Sequence, residues 1–431
     1  MIRVLHLTAH LGGGVGRALS GLVAQATMAG RDVLHSFVCF EPPERGGFIE
    51  RIGGPVHVQP SIGLLLRLVE DADVVQLEWW NHPATLAALC ALPEVSLRLV
   101  VWCHVSGLHT PVVPAGLVQA AHRFLFTSTC SLALPAIQGL PPDSRARVDV
   151  VASGGGFLHL PPARSGPRKP PGKPLGFAYV GTLGFSKLHP GYVDLVSGIE
   201  IPGLRVRMIG DDAGRATLES QARAVGKPEM FEFRGYREDV GAELQSTDVL
   251  LYLLNPYHYG TTENALLEAM ALGIVPIVLD NPAERAIVRD QETGLLVRTR
   301  SEIAAAVSRL SGDPGLRTRL GEAAAHDVRT RFDPAKTEAQ LDRHHRAALS
   351  LPAVTLGFRQ ILGGTPSAWF LACQEDATAF GMDGGVRLPD SEEARACLHE
   401  RTKGSVFHYH RYFPGDPLLA SWAQALEGRG C

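Results

Sequence analysis

Three short segments hold residue types suited to gripping an anion or a polyol. The first is Gly12-Gly13-Gly14-Val15-Gly16-Arg17, directly after an apolar run and before a helical pattern. Glycines let main-chain N–H groups approach an anion closely, and a helix N-terminus adds a favourable partial charge. The spacing does not fit G-x-G-x-x-G, because Arg17 stands at the last glycine position. No acidic residue ends a clear second strand about 20 residues later, which disfavours a dinucleotide oxidoreductase. The plainer alternative is a tight turn that binds nothing. The second segment, Tyr179-Val180-Gly181-Thr182-Leu183-Gly184-Phe185-Ser186-Lys187, ends a strand pattern with an ammonium that a diphosphate could take as counter-charge. The third runs from Gly260 through Thr261, Thr262, Glu263 and Glu268 to Gly273. Thr261 or Thr262 can cap a helix, Glu263 suits its first turn, and Gly273 suits its end. Glu268 is the one charged residue between positions 264 and 279, with Ala265, Ala271 and Leu272 as helical neighbours. A carboxylate on such a face is partly buried and needs strong donors. Ribose hydroxyls would serve; loop N–H groups are the alternative.

Elements that could position these segments alternate along most of the chain. Strands are predicted at Val4–Leu7, Val74–Leu77, Leu97–Cys103, Phe124–Ser128 and Val148–Ala152, with helices at Leu19–Ala29 and Ala84–Leu92. Leu99-Val100-Val101-Trp102 is apolar throughout, as a parallel strand covered on both faces requires. Residues 160–174 are proline-rich and read as a linker over 161–174. Strands then recur near Phe177–Val180, Leu204–Ile209, Phe231–Arg234, Val249–Leu253, Ile274–Leu279 and Leu295–Val297. Helices are predicted between and after them, at Ala213–Val225, Ala242–Gln245, Glu263–Leu272, Glu302–Leu310 and Gly315–Arg331. The expected architecture is α/β: two Rossmann-like doubly wound domains, 1–160 and 175–335, facing across a cleft. Residues 336–431 are expected to give a helix returning to the first domain and then an appendix of unread role. In the appendix Val406–Phe413 reads as strand or loop, and its His408 and His410 are weighed as a metal pair but favoured as structural.

The chain has 431 residues, 45% hydrophobic and 20% charged, with a formal net charge of −3. That is ordinary globular composition and offers no basic excess for nucleic acid. Seven cysteines include no C-x-x-C pair and read as buried hydrophobes. With neither a signal-peptide pattern nor a run of 18 apolar residues, a cytoplasmic location is expected. No strongly basic amphipathic helix supports peripheral membrane contact.

Residues 1–350 resemble the retaining glycosyltransferases of family 4, which have the GT-B fold. The matching signatures come in order: Gly13-Gly14-Val15-Gly16; Val180-Gly181-x-Leu183-x-x-x-Lys187; Gly235-Tyr236; Glu268-Ala269-Met270-Ala271-x-Gly273-x-x-Pro276; and Thr293-Gly294-Leu295-Leu296-Val297. The resemblance implies sugar transfer from a nucleoside-diphosphate sugar to an unidentified acceptor, with retention and with neither an essential metal nor a cofactor. It places Gly235 and Tyr236 beside the base, Glu268 on the ribose, and Lys187 with Thr182 near the diphosphate. Gly13, Gly14 and Gly16 would close over phosphates and sugar, and the helix end at Gly260–Thr262 would face the leaving oxygen. His104 falls where the family often has a histidine near the sugar. His82 and His109 are weaker candidates, and Glu78 and Trp79 are candidates for the acceptor side. The Asp211-Asp212 pair lacks further obvious metal ligands. Two departures stand out. Thr182 replaces the family's usual arginine. Gly260 replaces its first acidic residue, so Glu263 is the candidate substitute. These departures keep two alternatives open: a catalytically degenerate binding or partner protein, and a sugar-nucleotide epimerase.

Overall fold

In a computed structural model of the protein, described for all residues except 43–48, 50, 51, 155, 156, 158, 164, 165, 167–173, 238 and 429–431, two parallel sheets carry the chain. The first lobe contains β1 (Ile2–Thr8), β2 (Val33–Cys39), β3 (Val56–Val58), β4 (Val74–Trp79), β6 (Leu99–Cys103), β7 (Arg123–Phe126) and β8 (Val148–Val150). They are ordered β3-β2-β1-β4-β6-β7-β8. The second contains β9 (Phe177–Val180), β10 (Val206–Ile209), β11 (Phe231–Gly235), β12 (Val249–Tyr252), β13 (Val275–Leu279) and β14 (Leu295–Val297). Their order is β11-β10-β9-β12-β13-β14. In each sheet the order reverses direction beside the lobe's first strand, which opens a crevice at the carboxyl ends of the strands.

The central strands are apolar on both sides because helices cover both faces. Every residue of β4, β6, β9, β12 and β13 is buried. Strands β2 and β3 were not read from the sequence. β2, VLHSFVC, pairs along the whole of β1 from Ile2↔Val33 to Thr8↔Cys39, but its alternating polar residues break the apolar run. Glu41 follows it by two residues, so the first lobe does carry an acidic residue after a second strand.

Most of the proline-rich segment, 164, 165 and 167–173, lies outside the described residues. Helix Pro334–Leu349 packs against helix Gly13–Met28 of the first lobe, fastened by Arg31 on Glu338 at 2.9 Å. Past it, β15 (Val354–Leu356) pairs antiparallel with β5 (Val95–Leu97). Phe358, Leu362, Trp369, Phe370, Tyr409 and Trp422 then join Leu86, Leu89 and Phe124 in one core. The tail is therefore part of the first lobe's interior. Val406–Tyr412 is a helix rather than strand or loop, capped by Ser405 on the His408 N–H. Its aromatic run suggested β structure, and packing against the core decided otherwise. Among the described residues, Cys39, Cys90, Cys103, Cys130, Cys373 and Cys397 are unbridged; Cys431 lies outside them.

Candidate active site between the lobes

Loops at the carboxyl ends of both sheets meet. Ser106, three residues beyond β6, donates its N–H to the Tyr259 carbonyl at 2.9 Å. The Thr127 hydroxyl lies 2.6 Å from that of Thr261, and Thr262 Oγ1 donates to the Thr127 carbonyl at 2.8 Å. Neither threonine caps the helix. It spans Asn264–Ala271, its N-cap position is Glu263, and no side chain caps it. The threonines tie the lobes together instead, and Glu263 lies just before the first turn. Gly273 ends the helix as expected, in the left-handed region at φ 74°.

Lys187 Nζ lies 2.8 Å from Glu263 Oε2, and the Tyr252 hydroxyl donates to the same oxygen at 2.7 Å. Burial alone would raise the Glu263 pKa. The nearby charges of Lys187 and His258, with hydrogen bonds from Lys187 and Tyr252, outweigh it and hold the carboxyl below its usual range. A Cβ at Gly260 would sit 1.8 Å from Glu263 Oε1 and 2.8 Å from His258 Nδ1. The Glu263 carboxylate thus fills the space that a side chain at 260 would need.

Glu268 is buried, as its apolar neighbours require, and its partner comes from the opposite lobe. Arg17, in the first-lobe helix Gly13–Met28, places Nη1 on Glu268 Oε1. Desolvation raises the Glu268 pKa to about 7, although Arg17 pulls it down. The glycine turn presses on the same helix, since a Cβ at Gly14 would lie 2.7 Å from Asn264 Nδ2. Gly13 has φ 59°, and the Gly16 N–H returns to the Gly12 carbonyl at 3.3 Å.

Thr182 is taken up within its own lobe. Its hydroxyl bonds Asp211, whose other oxygen accepts from the Leu183 and Ala213 N–H groups at 3.1 and 3.0 Å. Asp211 therefore braces the Lys187 loop. Gly235 ends β11 with φ 68°, and Tyr236 beyond it is 57% exposed.

His104 sits at the end of β6, and its Nε2 lies 2.8 Å from Glu78 Oε2. Glu78 Oε1 is 3.0 Å from His6 Nδ1 and accepts from Gln76 Nε2 at 2.7 Å; His6 Nε2 is 2.9 Å from His35 Nδ1. Gln76 Oε1 lies 2.6 Å from His345 on helix Pro334–Leu349. Burial would raise the Glu78 pKa, but hydrogen bonds from His104 and His6 hold it down. His104 Nδ1 has no hydrogen-bond partner among the described residues. In the neutral ring that gives Nε2–H to the carboxylate, Nδ1 is the acceptor.

Glu78 and Trp79, the candidates for the acceptor side, are both fully buried. The next residue, Trp80, is half-buried and packs edgewise near His10, His82 and His104. His82 is buried, 3.0 Å from Glu41, and stacks edge-on with His408 of the tail. Among the described residues, His408 and His410 belong to no group of three or more possible metal ligands; the atoms of His10, Glu41 and His82 fall within 4.8 Å of one another. The Nδ1 atoms of His10 and His82 accept main-chain N–H groups of Gly12 and Ala84, at 3.0 and 3.2 Å. That leaves Nε2 protonated on both neutral rings, a tautomer suited to donating to Glu41 rather than ligating through Nε2. His109 pairs with Glu375 at 3.1 Å. The sequence did carry a signal for the missed network: His6, His35, Gln76 and Glu78 are polar interruptions of buried strands.

The architecture has solved relatives. It superposes on an Anabaena protein, Alr3699/HepE in complex with UDP-glucose, with TM-score 0.61 at 15% identity, covering 80% of this chain and 99% of that one. The structure of TarM aligns with TM-score 0.63 at 9% identity, covering 81% and 99%. The fold is GT-B. Residues 164–327 match the family described as glycosyl transferases group 1. Within the chain, 174 residues are 27% identical to the lipopolysaccharide core biosynthesis glycosyltransferase LpsD of Rhizobium meliloti (strain 1021), 39% of this chain and 50% of that protein. The chain thus spans about half the length of that relative. The matched stretch of this GT-B molecule covers most of the second lobe and includes Lys187, Glu263 and Glu268. Among the described residues, no helix is long and apolar enough to cross a membrane.

Proposed function

We propose that this chain is a family 4 glycosyltransferase that moves a sugar from a nucleoside-diphosphate sugar to an acceptor with retention of anomeric configuration. One observation carries the reading: the glycine turn, Lys187, Glu263 and Glu268 converge where the carboxyl ends of two doubly wound sheets meet. Tyr236, exposed after β11, would lie beside the base and Glu268 would take the ribose hydroxyls. Lys187 would meet the diphosphate, leaving Glu263 to the Tyr252 hydroxyl. As the glycosidic bond breaks, negative charge grows on the phosphate oxygen and positive charge on the sugar. Donors aimed at that oxygen lower the barrier because they bind the transition state more tightly than the ground state. The leaving phosphate can itself receive the acceptor proton, so no strong side-chain base is needed. The open Nδ1 of His104, held by Glu78, would accept a hydrogen bond from a sugar hydroxyl. Closed lobes keep water from the donor.

The deciding experiment screens nucleoside diphosphates and their sugars by thermal shift, since a ligand specific for the folded state raises Tm. The selected donor is then incubated with an acceptor panel, and the anomeric configuration of the product is read by NMR. Transfer with retention, unaffected by EDTA, supports the reading. Donor binding without transfer or slow hydrolysis supports a binding protein, and a changed sugar still attached to nucleotide supports an epimerase.

A further inference from the structure

We infer that Arg17 binds the donor's diphosphate, and that its contact with Glu268 is the resting position of a guanidinium that moves to the phosphates when a nucleotide ribose claims the carboxylate. This rests on the nucleotide-sugar reading and adds a first-lobe residue to it.

The charges at the gap set the problem. Lys187 is balanced by Glu263 and Arg17 by Glu268. A diphosphate adds at least two negative charges to a partly desolvated place, where each must be matched. The loop that holds Lys187 offers no second cation, since Thr182 is neutral and engaged with Asp211. Arg17 is the guanidinium that already reaches across from the facing lobe.

The two partners of that ion pair differ in freedom. The Glu268 side chain is 5% exposed and fixed on a helix, so it must keep donors. Ribose hydroxyls can replace the N–H that Arg17 Nη1 supplies. The Arg17 side chain is 33% exposed and long, so it can turn without opening a cavity. The exchange leaves Glu268 satisfied and turns a guanidinium, whose planar fork suits phosphate oxygens, toward the diphosphate. The packing of Gly14 on Asn264 keeps the first turn of the Arg17 helix close enough for that short movement. Glu263 has a parallel reserve: the Tyr252 hydroxyl continues to donate to it if Lys187 turns away.

The test is isothermal titration of wild type, Arg17→Ala and Arg17→Lys. The titrants are the nucleoside diphosphate giving the largest thermal shift among UDP, GDP, ADP, CDP and dTDP, and its parent nucleoside. Arg17→Ala is expected to weaken the diphosphate about 10- to 100-fold, the scale of one charge-assisted contact, and the nucleoside by less than about threefold. Arg17→Lys should recover part of the loss. If Arg17→Ala does not fold, Arg17→Gln replaces it, removing the charge while keeping a donor for Glu268. Equal weakening of both ligands, or an unchanged diphosphate affinity, overturns the inference and leaves the donor reading standing. Failure of wild type to bind any of the five diphosphates removes both.

Discussion

Lys187 and Glu263 show how a pair proposed for chemistry also carries stability. Lys187→Ala should lower kcat by roughly 10²–10³, the scale of losing one preorganised donor. It should also destabilise the fold, because Glu263 is buried and loses its nearest cation. Loss of one partner from a buried pair costs about 3–5 kcal/mol when nothing compensates. Here Tyr252 and His258 remain, so roughly 2 kcal/mol is expected. Lys187→Met combined with Glu263→Gln should restore the urea midpoint without restoring turnover. A double variant as active as wild type would remove Lys187 from the mechanism.

Glu268 supplies a second residue-scale expectation, read in pH. Its folded pKa is raised to about 7 from an ordinary 4.5. Between these values the folded protein holds a proton that the unfolded chain has released. Its contribution is fully present below the unfolded value and is lost as pH rises through about 7, a span on the order of 3 kcal/mol. Glu263 and Glu78 have lowered values and act in the opposite sense, losing their contribution as pH falls. Both persist in Glu268→Gln, so they cancel when it is subtracted from wild type. Urea titrations from pH 5 to 8 should show wild type losing stability relative to the variant, and a pH-independent difference would contradict the assignment.

At the scale of elements, close approach separates two glycines that look alike in the sequence. A methyl at Gly14 would press on the free end of the Asn264 side chain, which can swing away. Gly14→Ala should cost less than about 1 kcal/mol in thermal denaturation. A methyl at Gly260 would strike the Glu263 carboxylate and the His258 ring, both held by hydrogen bonds. Gly260→Ala should cost about 1–3 kcal/mol and disturb Lys187, seen as a larger Tm loss together with lower donor turnover. Equal Tm losses would mean that the Glu263 region yields as readily as Asn264. The same contrast marks how far the chain could be read. Continuous apolar strands such as Leu99–Cys103 and the periodic helix around Glu268 were legible, because burial on both faces leaves little else for those residues to do. Strand β2 was obscured by His35 and Ser36, whose surroundings are fixed by His6 and the strand register rather than by local pattern. Glu268 was legible as a buried carboxylate in need of donors, but its partner Arg17 lies 251 positions away and only the meeting of the lobes brings it there.

At the scale of the whole molecule, the tail is both core and bridge. Removing residues 352–431 would strip Phe358, Trp369, Phe370, Tyr409 and Trp422 from a buried cluster. Each such side chain is worth about 1.5–3 kcal/mol of burial, so the sum approaches the whole stability of a typical domain. Between its core segments the tail sends residues 392–404 to the other lobe. There Glu400 takes the Ser186 hydroxyl, and the Glu393 carbonyl accepts from Asn255 Nδ2 at 2.8 Å. Ser186 immediately precedes Lys187, so this contact reaches the proposed chemistry. It is also separable from the aromatic core, because the Glu400 carboxylate bonds Ser186 of the other lobe and Thr402 of its own turn. Glu400→Ala takes the acceptor from the buried Ser186 hydroxyl and should cost about 1–3 kcal/mol in thermal denaturation. It should quicken amide exchange at 184–188 and 392–402 but not at 358–371, because local opening follows the contacts that are lost. Unchanged exchange at 184–188 would show that the Lys187 loop is held by Asp211 and Asn255 alone, and that the tail serves only the lobe it is built into.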